Sequence, residues 1–407
     1  MSRIVFSEIK SKGLTAEVVH EQQAEAELVD KKEPEAGVIQ NQQYPFETRS
    51  SLKNKLVNFI ATLIIGIAVV SFWRGSWILA DIYIFPSTPE ISATTSIVVS
   101  YPFLFLILLV QPTMLRRMRE LHPTPRSIIW RVLFYVLGLA AVLSWRGVWL
   151  ALDVFTSTSV LSAAICHTIG FLTAVITRST ASLIPPPGFV LSDKILHNFN
   201  LSLGFLYKVQ NPSSTFKKYF RHVIKCFITV FIIGVSVVVY WRGTWTLMDN
   251  IPSPMEELDQ LLFGALLSSG IGVVLYSICY WVSEPLGTYV AHATWPYVVQ
   301  ACVEHVFLYV LGFAVVNFWR GFWNLGNIYL IPDNLPLSSA LCHAVGAGLL
   351  FLGYASVNLL SPPAGCRSHS KKCLEGFYIG SYISEAIQPP VIPHTEQNTG
   401  CGQNPST

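Results

Sequence analysis

Trp73-Arg74-Gly75-Ser76-Trp77, with Asp81 four residues after it, is the stretch around which this sequence is built. The pattern Trp-Arg-Gly-x-Trp occurs three more times, and each copy ends a long apolar run. The further copies are Trp145-Arg146-Gly147-Val148-Trp149 with Asp153, Trp241-Arg242-Gly243-Thr244-Trp245 with Asp249, and Trp319-Arg320-Gly321-Phe322-Trp323 with Asn327. The sequence therefore places a cation between two tryptophans at the edge of four hydrophobic segments.

The composition is typical of a membrane protein. Of the 407 residues, 52% are hydrophobic and only 13% are charged, and the mean hydropathy is +0.47. Soluble domains usually carry about 25% charged residues. The formal net charge is +3, but the basic residues cluster beside apolar runs, so nucleic acid is not an expected partner. Residues 1–50 are rich in acidic side chains and lack a long apolar run, and we predict that they form a disordered tail.

Eight apolar runs are long enough to cross a bilayer as helices, because a hydrocarbon core of ~30 Å needs ~20 apolar residues. They lie at about 56–84, 91–111, 128–154, 159–184, 220–249, 258–283, 302–331 and 337–360. We therefore predict an all-α polytopic membrane protein with eight transmembrane helices, in contact with the lipid bilayer.

The distribution of Lys and Arg predicts the orientation. Basic residues precede the first run, follow the eighth, and occupy the loops after the second and fourth, whereas the loops at about 85–90, 155–158, 250–257 and 332–336 contain none. Loops rich in Lys and Arg stay in the cytosol, so both termini are predicted to be cytosolic. No cysteine lies in a base-free loop, and no disulfide is predicted. Cys366 and Cys373 are either palmitoylated or free cytosolic thiols.

The chain also repeats in halves. Phe134-Tyr135-Val136-Leu137-Gly138 matches Leu308-Tyr309-Val310-Leu311-Gly312, 174 residues on, and Cys166-His167 matches Cys342-His343, 176 residues on. These matches predict two parallel four-helix repeats related by an axis along the membrane normal. The predicted domains are a cytosolic tail 1–50, a first transmembrane repeat 51–189, a cytosolic linker 190–219, a second transmembrane repeat 220–365 and a cytosolic tail 366–407.

Spacing within the motif predicts how its polar residues are used. Arg74 lies ~27 Å of helix beyond the start of its apolar run, so the four arginines are expected near the outer edge of the hydrocarbon, within reach of headgroups. Arg74 and Trp77 are three residues apart, which allows a cation–π contact. Asp81 is two turns from Arg74, so its carboxylate is expected to meet an arginine of another helix or to cap a turn.

Three interpretations of this layer stay open. In the first, an aromatic belt and interhelical ion pairs fix the depth and register of the helices. In the second, the arginines recruit an anion, a lipid headgroup or a substrate carboxylate at the outer face. In the third, His167 and His343 act with the aspartates as a proton or metal site, although such histidines more often satisfy an interhelical hydrogen bond. The candidate residues are Trp73, Arg74, Trp77, Asp81, Trp145, Arg146, Trp149, Asp153, Trp241, Arg242, Trp245, Asp249, Trp319, Arg320, Trp323 and Asn327, with His167 and His343 secondary.

Catalytic sequence motifs are absent. The chain contains no phosphate loop, no Gly-x-Ser-x-Gly elbow, no His-Glu-x-x-His and no Cys-x-x-Cys pair. We therefore expect no enzymatic activity, no cofactor and no metal. Pro185-Pro186-Pro187-Gly188 and Ser361-Pro362-Pro363 are interpreted as helix stops, and a polyproline docking site on the cytosolic side is the alternative.

Four copies of Trp-Arg-Gly-x-Trp on a chain with eight predicted spans resemble the fuseless family of insect and other invertebrate membrane proteins. The resemblance covers about residues 50–365 and leaves out both tails. It implies a non-enzymatic multipass protein of the presynaptic plasma membrane that supports synaptic transmission, including neuromuscular transmission, and organises presynaptic calcium channels. The implied partners are calcium channels or active-zone proteins, and the family supplies no binding residues. The alternative from the residues themselves is a transporter of a small anionic solute or lipid that uses the arginine layer.

Overall fold

The computed structural model describes residues 52–193, 215–251 and 257–365, together with Ile379 and Tyr382. The described residues belong to one compact unit and contain helices but no β-strands. The predicted tail 1–50, most of the predicted linker 190–219, and Cys366 and Cys373 lie outside the described residues.

Eight helices follow one another along the described chain. They are α1 (Leu52–Tyr83), α2 (Pro89–Arg119), α3 (Pro123–Thr156), α4 (Val160–Ile176), α5 (Thr215–Phe227, continued by a π-helical stretch Ile228–Ile233 and by Gly234–Asp249), α6 (Glu257–His292), α7 (Tyr297–Tyr329) and α8 (Leu335–Leu352). Seven of them are long and apolar enough to cross a membrane, and α4 is an apolar helix of 17 residues. The chain is therefore a multipass helical protein suited to a bilayer.

Helices α4 and α8 end earlier than their apolar runs, which we predicted to be helical as far as residues 184 and 360. At the end of α4, Arg178 adopts a positive φ of 54°, and Ser179 N–H donates to the Ala174 carbonyl at 2.8 Å. At the end of α8, Tyr354 has the same φ. This left-handed closure terminates a helix whatever the hydropathy of the next residues. Short 3₁₀ helices follow at Thr180–Leu183 and Ser356–Leu359.

The helices that carry the motif form an inner ring in which α1 contacts α3, α3 contacts α5, α5 contacts α7 and α7 contacts α1. Each even-numbered helix packs along the outside of this ring, with α2 on α3, α4 on α5, α6 on α7 and α8 on α1. Because α4 packs on α5 and α8 on α1, the two predicted halves interlock. The four motifs therefore lie together at one end of the bundle, here called the motif end.

The segments that follow α4 and α8 turn back into the centre of the inner ring. Leu183 and Leu359 are completely buried, and a Cβ added to Gly66 of α1 would lie 3.0 Å from the side chain of Pro187. Pro363 approaches Gly234 of α5 in the same way, at 2.7 Å. Irregular backbone at membrane depth is tolerated where protein surrounds it. Residues 179–190 and 355–364, here called the re-entrant segments, therefore fill the axis of the bundle, and the proline stretches are not exposed docking sites.

Candidate functional site

The first tryptophan of each motif contributes to a closed ring around the bundle axis, here called the deep ring. Neighbouring indoles meet edge to face, with centroid distances of 5.1 Å for Trp73–Trp145, 5.2 Å for Trp145–Trp241, 5.2 Å for Trp241–Trp319 and 5.4 Å for Trp319–Trp73. All four indoles are buried. Edge-to-face aromatic pairs contribute ~0.5–1.5 kcal/mol each beyond the burial of their surface, so the ring fixes the order and spacing of the inner helices.

The second tryptophan of each motif repeats this arrangement one helical turn nearer the motif end, in what we call the rim ring. The distances are 5.7 Å for Trp77–Trp149, 5.7 Å for Trp149–Trp245, 5.9 Å for Trp245–Trp323 and 5.9 Å for Trp323–Trp77. Residues four apart lie above one another on a helix, which is why the motif spacing produces two stacked rings. The predicted aromatic residues thus close the axis rather than form an outward belt.

The re-entrant segments are hydrogen-bonded to the deep ring. The indole N–H of Trp145 donates to the Pro362 carbonyl at 2.5 Å, and that of Trp319 donates to the Pro186 carbonyl at 2.6 Å. Trp241 donates to the Leu183 carbonyl at 2.9 Å. The remaining indole N–H, of Trp73, is buried and has no partner among the described residues. The re-entrant segments therefore fill the axis between the deep ring and the end of the bundle opposite the motif end, here called the far end.

The motif arginines are buried between helices, with 0–5% of their surface exposed. Arg146 pairs with Asp81 at 2.6 Å, Arg242 with Asp153 at 3.0 Å and Arg320 with Asp249 at 2.8 Å. Each arginine thus bonds the acid of the preceding motif copy. Arg74 completes the circle by donating from Nε to Oδ1 of Asn327 at 2.9 Å. The expectation that the acid meets an arginine of another helix is confirmed.

Two other expectations about the arginines are wrong. None of them extends toward headgroups, because each guanidinium lies between an inner and an outer helix. Nor does Arg74 contact the ring of Trp77; the cation–π contacts in the described part of the chain are Arg131 over Tyr354 and Arg178 over Tyr297. The reason is that the indoles face the axis and stack on one another, which leaves the guanidiniums on the sides of the inner helices.

Each guanidinium also bonds the outer helix that packs on its own helix. Arg146 donates to Ser92 at 2.7 Å and to Ser96 at 2.8 Å, whereas Arg74 donates to Ser338 at 3.3 Å and to Cys342 Sγ at 3.1 Å. The corresponding acceptors are Ser162 Oγ and Cys166 Sγ for Arg242, and the Gly264 carbonyl and Ser268 Oγ for Arg320. Our sequence reasoning missed these partners. The pairs of small residues four apart in each even-numbered run were the pattern that pointed to them.

The motif glycine permits this close packing. A Cβ at Gly243 would lie 2.2 Å from the backbone nitrogen of His167, and one at Gly75 would lie 2.4 Å from the carbonyl oxygen of Ser339. The added Cβ atoms at Gly147 and Gly321 would lie 2.7 Å from Ile97 of α2 and 2.3 Å from Ser269 of α6. Small residues bring membrane helices together in this way. The glycine therefore allows the outer helix to pack closely, and the arginine beside it forms hydrogen bonds with that helix.

The two histidines bond hydroxyl groups of neighbouring helices. His167 contacts Thr244 Oγ at 2.9 Å and Tyr309 OH at 3.1 Å. His343 contacts Ser76 Oγ at 2.9 Å and Tyr135 OH at 2.8 Å. Within the described ranges, no group of three or more His, Cys, Asp and Glu residues has the arrangement of a metal site. The arrangement matches the interhelical hydrogen bond that we expected for such histidines.

A polar cluster at the end of the bundle opposite the motif end joins residues 191–193, which directly follow the first re-entrant segment, to the second segment. The buried carboxylate of Asp193 accepts hydrogen bonds from the backbone N–H of Ser356 at 3.0 Å and of Val357 at 2.8 Å, and Arg131 lies 3.6 Å away. Burial raises the pKa of Asp193, while its bonds to Ser356 and Val357 and the charge of Arg131 act in the opposite direction. The side-chain amide of Asn358 accepts a hydrogen bond from the Leu191 N–H and donates one to the Leu191 carbonyl. We call this group the far-end latch.

Comparison with known proteins places the chain in a family. The family model described as Fuseless matches residues 54–360. This range includes all eight helices except the first two residues of α1, and both re-entrant segments except the last four residues of the second. No curated protein and no solved structure matches the chain. The match spans all four copies of the motif and most of the chain, so this protein belongs to the Fuseless family.

Proposed function

We propose that this protein is a non-enzymatic, eight-span protein of the presynaptic plasma membrane that supports synaptic transmission by organising or regulating presynaptic calcium channels. Both termini are cytosolic in this proposal, and the eight helices form two parallel four-helix repeats. Membership of the Fuseless family supports the synaptic assignment. The apolar helices support a membrane location.

One observation carries the non-transporting part of the proposal: the motif residues are engaged with one another. The guanidiniums are buried, three of them bond a carboxylate, and all four bond an outer helix. A guanidinium that recruited a solute would need donors free to reach it. The arginine layer therefore serves the architecture, and partners would bind elsewhere on the protein.

The alternative is a transporter of a small anionic solute or lipid. The observation that favours it is the meeting of two re-entrant segments on the axis of the inner ring, because broken helices near the middle of the membrane hold the substrate in many transporters. In such a transporter the tryptophan rings would act as gates. This alternative requires the indole bonds to the Leu183, Pro186 and Pro362 carbonyls to open during each cycle.

Glutamine substitutions in the arginine layer separate the two functions. Arg242→Gln leaves the Asp153 carboxylate without its cation, whereas Arg74→Gln leaves only neutral partners. Breaking a buried ion pair costs ~3–5 kcal/mol, and the partial exposure of Asp153 reduces this to ~1–3 kcal/mol, against ~1 kcal/mol for lost neutral hydrogen bonds. For the scaffold, surface delivery and rescue of evoked transmission should fall together, and more for Arg242→Gln than for Arg74→Gln.

A flux measurement supplies the opposing outcome. Purified protein in proteoliposomes should pass no chloride, phosphate or glutamate above empty vesicles. Flux that disappears in Arg320→Gln, while that variant reaches the surface at the normal level, would replace the scaffold with the transporter. Presynaptic calcium entry that is unchanged in synapses lacking the protein would contradict the role in calcium-channel organisation.

A further inference from the structure

The circle of ion pairs at the motif end carries one uncompensated charge. Three of its four arginines bond aspartates, but Arg74 bonds Asn327, Ser338 and Cys342, all of which are neutral. Arg74 is only 2% exposed, and no carboxylate among the described residues lies within ion-pair distance of it. A buried cation without a counterion is costly. The seam between α1 and α7, where Arg74 and Asn327 meet, therefore has a net positive charge that the other three seams lack.

A groove opens at this same seam. It has a volume of about 660 Å³, and Trp77, Asp81, Ile82, Trp323, Asn327 and Leu335 line it. Binding sites for small ligands usually have volumes of about 300–1,000 Å³. The groove lies beside the last turns of α1 and α7 and the first residue of α8. It is therefore at the ends of the long helices, where lipid headgroups and aqueous solutes both have access.

The amide of Asn327 presents hydrogen-bond donors to the groove. Its Oδ1 accepts from Arg74, and this bond fixes the orientation of the amide because the guanidinium can only donate. Its Nδ2 has no partner among the described residues. The two N–H groups of Nδ2, with the buried Arg74 guanidinium behind them, form a site for an anionic oxygen of a phosphate or a carboxylate.

The opposite chemistry occurs on the α1 side of the groove. The side chain of Asp81 is 48% exposed, and only its Oδ1 is bonded, to Arg146. The indoles of Trp77 and Trp323 lie nearby in the same lining, and tryptophan is the aromatic residue that ammonium groups prefer. The carboxyl end of α1 adds a partial negative charge on this side. This side favours a cation.

We propose that the groove binds a compact zwitterion, with its phosphate or carboxylate at Asn327 in front of Arg74 and its ammonium at Asp81, beside the contacting indoles of Trp77 and Trp323. The anionic group of the ligand offsets the charge of Arg74 locally, in the place where the other three seams have an aspartate. A phospholipid headgroup and a soluble zwitterion share this chemistry. The site does not depend on the synaptic role or on transport.

The test uses the purified full-length protein in dodecyl maltoside, a detergent without charge. Three probes are titrated while thermal unfolding is followed: dihexanoyl phosphatidylcholine below its micellar concentration, glycerophosphocholine and glycine betaine. We expect a rise in Tm of at least about 2 °C at saturation. A lipid source predicts that dihexanoyl phosphatidylcholine acts at concentrations at least tenfold lower than the other two probes. A soluble source predicts that glycerophosphocholine or glycine betaine acts at equal or lower concentrations.

The decisive variant is Asn327→Asp, which gives the fourth seam the carboxylate that the other three have. It should fold with an unchanged or higher Tm without ligand, and the ligand-induced rise should disappear. Asp249→Asn is the matched control, since it creates an uncompensated arginine at a seam that does not line the groove; its ligand-induced rise should persist. If Asn327→Asp does not fold, Leu335→Trp blocks the groove from the exposed end of α8 and should also abolish the rise.

Three results would overturn the proposal. The first is the absence of any Tm rise in the wild-type protein with all three probes. The second is a rise in Asn327→Asp equal to that of the wild type. The third is an equal rise with inorganic phosphate alone or with tetramethylammonium alone, because a zwitterion site requires both charges on one ligand.

Discussion

At the scale of single residues, the motif assigns a different task to each position. The tryptophans face the axis, the arginine bonds two neighbouring helices, and the glycine allows the outer helix to approach. Gly243 tests the last of these tasks, because its added Cβ would lie 2.2 Å from a backbone nitrogen of α4. We expect Gly243→Ala to destabilise the protein by ~1–3 kcal/mol, the usual cost of overpacking, and to lower its Tm in detergent.

Gly348 provides the matched control for this substitution. It lies on α8, and no atom comes within 4 Å of its added Cβ. Replacement of a helical glycine by alanine in open space gains ~1 kcal/mol of helix propensity, so Gly348→Ala should melt at or above the wild-type temperature. If Gly243→Ala melted at the same temperature as Gly348→Ala, α4 would be able to move away without cost, and the close approach would have no structural role.

The sequence predicted some of these residue-level contacts and missed others for physical reasons. Asp81 lies too far along α1 to pair with Arg74, so helix geometry predicted either an interhelical arginine or a capped turn, and the structure shows the arginine. The tryptophan rings did not follow, because closure of a ring depends on the order of four helices around an axis, which residue spacing within one helix does not contain. The cation–π expectation failed for the same reason: the indoles had better partners on neighbouring helices.

At the scale of the element, hydropathy located the helices but misplaced several of their ends. Helices α4 and α8 end before their apolar runs do, whereas α2 and α6 continue beyond theirs, to Arg119 and His292. The apolar runs continue through Ile184, which is buried, and Leu360, which is half-buried, because the irregular backbone there packs inside the bundle. The stops at Arg178 and Tyr354 depend on a left-handed backbone conformation, which glycine usually signals. Here the residues are arginine and tyrosine, so the usual sign was absent. The prolines were interpreted as the helix stops, which is wrong, because α4 ends at Ile176 and α8 at Leu352, before the prolines.

The far-end latch connects the residues that follow the first re-entrant segment to the second re-entrant segment. Asp193 accepts from two backbone N–H groups of the 3₁₀ helix after α8 and from the Ser356 hydroxyl at 2.5 Å. Asp193→Ala would leave these buried donors without an acceptor, at ~1–3 kcal/mol for each unsatisfied group. We expect a lower Tm and faster hydrogen exchange at the Val357 amide.

Asp333 is the control for the latch, since it is an exposed carboxylate in the loop before α8. Asp333→Ala should leave both the Tm and the exchange at Val357 within error of the wild type. Unchanged exchange at Val357 in Asp193→Ala would mean that packing against the inner ring, and not the carboxylate, positions the second re-entrant segment.

At the scale of the whole molecule, contact between α7 and α1 closes the inner ring, and the last helix, α8, completes the outer layer. The outer helices α2, α4 and α6 each precede the inner helix on which they pack, whereas α1 is covered by α8, the last helix described. Arg74 therefore lacks Ser338 and Cys342, and Gly75 lacks its packing partner, until α8 is in place. Two chain fragments would each contain unpaired faces that match the other fragment.

This circular packing predicts that the protein can be reassembled from fragments 1–209 and 210–407. The first fragment exposes the α1 face that binds α8 and the α4 face that binds α5, and the second exposes the complementary faces. Neither fragment can close a tryptophan ring alone, since each holds two of the four indoles at each level. Co-expressed fragments with different tags should therefore copurify as a 1:1 complex, while each expressed alone should be degraded or aggregate.

Replacing the second fragment with 210–334, which lacks α8, should reduce recovery of the complex severalfold, because Arg74 then loses Ser338 and Cys342. Recovery of the complex at the full level without α8 would show that the rings and the α4–α5 contact suffice, and that closure by α8 is not needed for assembly.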